Sequence, residues 1–169
     1  PQVTESSVVL DVGCGLYSKF GTQLHGKPLE LHAIDPLAAF YNHINQKYDA
    51  AFSGSVEPAK KIEFGMFELL SAQFGCDFAD YIIIENAMDH CIDPFSALVE
   101  ALRVLKPGGL LTTRHCINEA CHGLYDGLHR WNICPDENNQ LLIWNQNNYI
   151  NASEALREYA SIEVIREAG

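Results

Sequence analysis

The stretch Val8-Val9-Leu10-Asp11-Val12-Gly13-Cys14-Gly15 decides the fold. Its apolar, β-branched run is too short for a helix and ends on Gly-x-Gly, which reads as a buried strand entering a tight turn. Near-continuous apolarity marks a strand covered on both faces. Moving outward, Leu29 to Ile34 is a second strand closing on Asp35-Pro36, and Leu37, Phe40, Tyr41, Ile44 and Tyr48 recur at helical spacing. Residues 53–58 have loop chemistry; Ile62-Glu63-Phe64 is a short third strand, and Phe67 to Phe74 is a short helix ending at Gly75. Tyr81-Ile82-Ile83-Ile84 is a fourth strand. Asp93-Pro94 supplies an N-cap and an N1 proline to a helix striped by Phe95, Leu98, Val99, Leu102 and Leu105. Lys106-Pro107-Gly108-Gly109 stops it, and Leu110 to Thr113 is a fifth strand. Strands alternating with helices at this rhythm predict a doubly wound α/β fold with a mostly parallel sheet.

Beyond residue 115 the rhythm breaks. Residues 116–139 are turn-rich, Gln140 to Trp144 reads as an isolated strand, and Asn145 to Asn148 as a turn. Asn151-Ala-Ser-Glu154 makes a capping box for a helix to about Tyr159, and Ser161 to Arg166 reads as a last strand.

The 169 residues are about one domain's length, and 47% hydrophobic against 20% charged residues places them in the globular class. A formal charge of −11 disfavours phosphate backbones and anionic lipid surfaces, so the composition argues against nucleic acid and membrane as partners. No apolar run approaches the ~18–20 residues of a membrane span, and no leader pattern opens the chain. Six cysteines without a Cys-x-x-Cys pair imply reduced thiols and a cytoplasmic location. A neutral or cationic small molecule is the partner this charge favours.

In an open parallel sheet, ligands bind beyond the carboxyl ends of the strands, where the strand order reverses. Gly13-Cys14-Gly15 follows the first strand, and its glycines let backbone approach a ligand closely. Asp35 follows the second, twenty residues after Gly15, where a carboxylate can accept two hydrogen bonds from a ribose diol. A dinucleotide site wants a third glycine where Ser18 stands, and Asp11 would bring a carboxylate near phosphates. A cationic nucleoside without phosphates satisfies both features better, although a nicotinamide-dependent oxidoreductase remains an alternative.

Val-Val-Leu-Asp-Val-Gly-Cys-Gly resembles the first motif of class I S-adenosylmethionine-dependent methyltransferases. Asn86-Ala-Met-Asp89-His90-Cys-Ile-Asp93-Pro94, followed by Leu102-Arg-Val-Leu-Lys-Pro-Gly-Gly109, resembles further segments of the small-molecule branch of that family. The resemblance covers roughly residues 7–113 and implies a Rossmann-like core of strand order 3-2-1-4-5 with further edge strands. It implies S-adenosylmethionine as cofactor. Asp11, Gly13, Cys14 and Gly15 would lie beside its methionine part, Asp35-Pro36 at the ribose, and Glu85, Asn86 and Ala87 along the methionine side. The family's adenine-contacting Asp falls at Met66, so Glu68, or backbone groups of Met66 and Phe67, would serve instead. The implied activity is methyl transfer to a small acceptor; a non-catalytic cofactor-binding module or partner subunit is the alternative.

If that acceptor is a hydroxyl, His90, His115 and His129 are the candidate catalytic bases. His90 also suits packing against the helix that Asp93 caps, and Arg114-His115 is placed for substrate contact. His115, Cys116, Cys121, His122, His129 and Cys134 are zinc-ligand types, but their spacing fits no standard structural site, so no metal is expected. Residues 116–150 are expected to be a substrate-facing insertion within a single domain spanning 1–169, with the family's N-terminal cap absent. Aromatic, basic and amide groups between Gly123 and Asn132, and seven of eleven asparagines within 132–151, suit a sugar-like acceptor or, equally, a solvated loop with a hairpin around Trp131 and Trp144.

Overall fold

The computed structural model describes residues 4, 6–18, 20, 23–25, 27–51 and 61–166. The loop expected at 53–58 lies outside them. Strand β1 (Val8–Val12) is buried along its whole length, as its unbroken apolar run requires. A small hairpin, β2 (Gln23–Leu24) and β3 (Lys27–Pro28), precedes β4 (Glu30–Ile34) and helix α1 (Ala38–Ala51). Then come β5 (Ile62–Glu63), a 3₁₀ turn over Phe67–Leu69, α2 (Leu70–Phe74), β6 (Ala79–Glu85) and a second 3₁₀ turn over Met88–His90. Helix α3 (Pro94–Val104) leads directly into β7 (Leu105–Arg114).

These strands form one five-stranded sheet of order β5-β4-β1-β6-β7, parallel throughout. This is the 3-2-1-4-5 order of the doubly wound fold. Lys106-Pro-Gly-Gly109 interrupts β7: Ala79 pairs with Leu105 and Tyr81 with Leu110, so the glycine-rich segment bulges out between them. Asp93 caps α3 by accepting from the amides of Phe95 (3.0 Å) and Ser96 (3.3 Å), with Pro94 in the first turn. Ala97, Leu98, Ala101 and Val104 then turn inward and join Leu10, Ile82 and Ile84 in the core. Each of the Leu, Ile and Val side chains among them contributes roughly 1.5–3 kcal/mol when fully buried.

After a single helical turn, α4 (Glu119–His122), the remaining strands, β8 (Asn132–Pro135), β9 (Leu141–Trp144) and β10 (Tyr149–Asn151), make a separate antiparallel sheet of order β10-β9-β8. Among the described residues no further strand joins the edges of the five-stranded sheet, where edge strands were expected. Ser161 to Arg166, expected as a strand, has no regular structure: no described residue pairs with it as a strand, and Arg166 donates to the Asp136 carbonyl at 2.8 Å. Helix α5 (Ala152–Ala155) begins at the Asn151 cap as expected, but gives way to turns over 156–159. The insertion has no core of its own, because Trp131, Ile133, Ile143, Ala152 and Leu156 belong to the same apolar cluster as β6 and α3.

Two carboxylates tie neighbouring elements together, Asp80 within the sheet and Glu100 between α2 and α3. Asp80 accepts from the Val8 amide and the Lys106 ammonium, both at 2.8 Å, and these bonds hold its carboxyl below the usual range. Burial pushes the Glu100 carboxyl up, but bonds from Ser71 and Arg103 outweigh it and leave that group lowered too. A carboxyl lowered in the folded state stabilises it above the unfolded value of about 4, and that contribution is lost as pH falls through the folded value. Urea midpoints are therefore expected to drop between about pH 7 and pH 3, and Asp80→Asn with Glu100→Gln should flatten that drop; an unchanged pH profile in the double variant would count against the two ties.

Candidate active site

Parallel pairing places the carboxyl ends of β5, β4, β1, β6 and β7 along one edge. At β1 the chain order reverses, with β4 on one side and β6 on the other, which opens the crevice such folds use. The amides of Gly13 (2.8 Å) and Cys14 (3.1 Å) both donate to the Ile34 carbonyl, folding the turn after β1 against the end of β4. Gly13 and Gly15 have φ of +73° and +66°, the left-handed region open to glycine. Asp35, 7% exposed, fastens this loop: one oxygen accepts from the Gly15 amide (3.0 Å) and the other from the Leu37 amide (2.8 Å). Pro36 is exposed beside it.

Beyond β5, Met66 is half-buried and Phe67 is buried with its ring against Gly13. Glu68 is committed elsewhere, since its Oε1 accepts from the amides of Ile92 (2.9 Å) and Asp93 (3.3 Å) ahead of α3. Beyond β6, Asn86 takes φ +49°, its amide donates to the Arg114 carbonyl (2.7 Å), and its side-chain oxygen accepts from the Cys116 amide (3.2 Å). Asn86 thus bridges the ends of β6 and β7, a conformation asparagine tolerates better than most residues. Ala87 packs behind it on the core and, like the Phe67 ring, closes on the space beside Gly13. Asp11 is buried within β1, and the Cys14 thiol is pushed up to about 12 by burial and then by Asp11 and Asp35, so it stays a thiol.

The three histidines gather on the far side of β6. Asp89, 3% exposed in the Met88–His90 turn, lies 2.6 Å from His129 Nδ1 through Oδ2 and 3.5 Å from His90 Nε2. The two imidazole rings meet edge-on with centroids 4.9 Å apart. The Asp89 hydrogen bond raises the His129 pKa. His115 follows β7 with both ring nitrogens buried and, among the described residues, without partners, and desolvation lowers it to about 4 despite the charge of Asp89. It is neutral at physiological pH.

Not all the polar tail residues face this site. Asn132 is fully buried, accepting from the Cys121 amide (2.9 Å) and donating to the Tyr125 hydroxyl (2.8 Å). Asn145 closes the β9–β10 turn through the amides of Asn147 and Asn148 (both 2.9 Å), and Asn151 caps α5. Cys134 accepts from the Trp144 indole (3.4 Å), and Cys121 meets the Tyr125 hydroxyl (3.5 Å).

The family model of the methyltransferase domain matches residues 10–113, more than half of the sequence. The chain belongs to the methyltransferase domain family. Its class is that of S-adenosylmethionine-dependent methyltransferases, and S-adenosylmethionine is the cofactor. Two solved structures share the fold of this methyltransferase domain. An S-adenosylmethionine-dependent methyltransferase from Methanosarcina mazei is 20% identical with a TM-score of 0.53, over 85% of this chain and 74% of that one. The YcgJ protein from Bacillus subtilis is 22% identical with a TM-score of 0.51, over 72% of this chain and 52% of its own. The domain spans about half of YcgJ, and 39% of a candidate sarcosine dimethylglycine methyltransferase from Galdieria sulphuraria (23% identity over 64% of this chain, TM-score 0.49). No curated protein matches the sequence.

The residues of this methyltransferase domain fit the cofactor. Nothing stands within 4 Å of where a Cβ on Gly15 would lie, so the loop presents bare backbone to open space. Each Asp35 oxygen has one backbone donor and keeps a further lone pair, enough for a vicinal diol. Asp89 is the site residue that spacing did not reveal. It is forty positions from His129, and its one sequence signal was its place inside the Asn86–Pro94 segment.

Proposed function

We propose that the protein transfers a methyl group from S-adenosylmethionine to a small-molecule acceptor, polyhydroxylated or sugar-like, seated against the ends of β6 and β7. The observation that carries this reading is the convergence on one sheet edge of the Gly13–Gly15 loop, Asp35 and Asn86-Ala87 with the imidazoles of His90, His115 and His129. When bound, the cofactor supplies a methyl group on a sulfonium, already activated for displacement.

The protein's task is then alignment, which by itself can supply much of the rate. Asp35 holds the ribose, and Gly13 to Gly15 with Asp11 and Glu85 to Ala87 line the methionine part. Met66 and Phe67 offer backbone groups and an aromatic face to the adenine. On the acceptor side, neutral His115 accepts a hydrogen bond from an acceptor hydroxyl, with His90 and His129 beside it. Exposed Arg114 and Asn86, with Glu119 3.5 Å from the Asn86 amide, add polar contacts of the kind a sugar engages. Six free cysteines support a reducing, cytoplasmic setting, and among the described residues no helix is long and apolar enough to cross a membrane.

Incubation with S-adenosylmethionine and a panel of polyols, sugars, phenols and amines, read by mass spectrometry, tests this reading. A methylated sugar or polyol with matching S-adenosylhomocysteine is the expected product; methylation of amines alone would overturn the hydroxyl reading. His115→Leu is expected to lower kcat/KM for the acceptor at least about tenfold while leaving S-adenosylhomocysteine affinity within about twofold. It should also raise stability by about 1 kcal/mol, because it removes two buried nitrogens without partners. Unchanged turnover in that variant would remove His115 from the acceptor site.

A further inference from the structure

The Asp89–His90–His129 cluster has features that a hydrogen-bonded pair alone does not use. Asp89 is 3% exposed, yet among the described residues its Oδ1 is buried without a partner while its Oδ2 faces two imidazoles. Burying a carboxylate with one oxygen unsatisfied is costly, and a cation is what offsets that cost. One carboxylate oxygen and two ring nitrogens lie within 4.8 Å of one another. The backbone fixes this convergence. The Arg130 amide donates to the Asp89 carbonyl (3.1 Å) and the Trp131 indole to the Cys91 carbonyl (3.1 Å), which clamps the segment carrying His129 onto the turn carrying Asp89 and His90. Both histidine side chains remain 35% exposed, so an ion has a path in.

We infer that Asp89, His90 and His129 form a binding site for a divalent transition-metal ion of the zinc class, on the acceptor side of the fold. Two imidazoles with one carboxylate select zinc, cobalt or nickel over magnesium and calcium, which prefer all-oxygen shells. Two ligands of a tetrahedral ion, each at about 2.1 Å from it, stand about 3.4 Å apart. The His90–Asp89 separation of 3.5 Å already meets this, and the His129–Asp89 pair at 2.6 Å must open by under about 1 Å as the ion replaces their hydrogen bond. Three protein ligands leave a fourth position for water or an acceptor oxygen. The inference does not depend on methyl transfer.

The test is titration of chelator-treated protein with zinc by calorimetry and with cobalt by absorption. One equivalent is expected, with visible d–d bands of a tetrahedral nitrogen and oxygen site. Asp89→Asn and His129→Ala should each weaken binding at least tenfold, and so should His90→Ala, which touches none of the core and guards against loss by misfolding. His122→Ala, an exposed histidine outside the cluster, should bind like the wild type. Absence of zinc heat and cobalt bands would reduce the cluster to a hydrogen-bonded Asp–His pair and overturn the inference. Thiolate charge-transfer bands, or undiminished binding by a His90→Ala, His129→Ala double variant, would place the ion on cysteines and overturn it equally.

Discussion

An Asp35→Ala variant is expected to bind S-adenosylhomocysteine at least about a hundredfold more weakly than the wild type. Hydrogen bonds to a charged acceptor are worth about 1.5–3 kcal/mol each, two would be made to the ribose diol in the proposed pose, and every 1.4 kcal/mol is tenfold. A second effect adds to the first. The same carboxylate holds the Gly15 and Leu37 amides, so its loss frees the loop and leaves two donors without their acceptor. Asp35→Asn keeps one side-chain acceptor and should fall between the two proteins. Calorimetric titration with S-adenosylhomocysteine checks the series: equal affinity in wild type and Asp35→Ala would remove Asp35 from the ribose, and no binding by wild type would remove the proposed site altogether.

Gly13→Ala is expected to be the most damaging single methyl addition in the site, costing about 2–4 kcal/mol of stability and abolishing detectable cofactor binding. The backbone at Gly13 has φ +73°, where an L side chain is itself strained. The added Cβ would stand 2.5 Å from the Ala87 Cβ and 3.0 Å from the Phe67 ring. Ala87 has no rotamer with which to retreat, so the turn after β1 or the segment after β6 must move, and both line the proposed site. Gly15→Ala makes the informative contrast, because its Cβ meets nothing within 4 Å while its φ is similarly positive. It should cost only about 1 kcal/mol, and its effect should fall on ligand affinity more than on the urea midpoint. Equal stability losses in the two variants would mean that the close packing around Gly13 is not what matters.

The elements legible in the sequence are those whose residues settle their own conformation. β1 and β6 are long apolar runs, and α3 has a cap, an N1 proline and a full stripe, so each is specified locally. Where pairing decides, residue pattern is silent. β2, β3, β8 and β10 are two to four residues long and exist because a neighbour runs beside them. Ser161 to Arg166 has the opposite problem: Ile162, Val164 and Ile165 are good strand formers with no partner, and Ile165 is left 77% exposed. The residues proposed for the cofactor were readable as candidates because most of them follow a strand at a characteristic spacing, with Asp11 inside β1. The acceptor side was not, since Asp89 meets His129 only when the insertion docks on the Met88–His90 turn. In the asparagine-rich tail, Asn132, Asn145 and Asn151 engage backbone groups, a tyrosine and Gln140, contacts that composition alone does not reveal.

The order in which the ribosome releases this chain is at odds with the order of the sheet. β1 emerges first but lies in the middle: Val9 pairs with Leu31 on one side and waits for Tyr81 on the other. Until β6 is synthesised, a largely apolar strand has an open hydrogen-bonding edge, the kind of template on which nascent chains associate wrongly. The first half of the sheet cannot be buried early, because α3 and the core face of β6 arrive later still. Folding is therefore governed by long-range parallel pairing rather than by local hairpins, and a slow, chaperone-sensitive maturation follows from the place of the glycine-loop strand at the centre of the sheet.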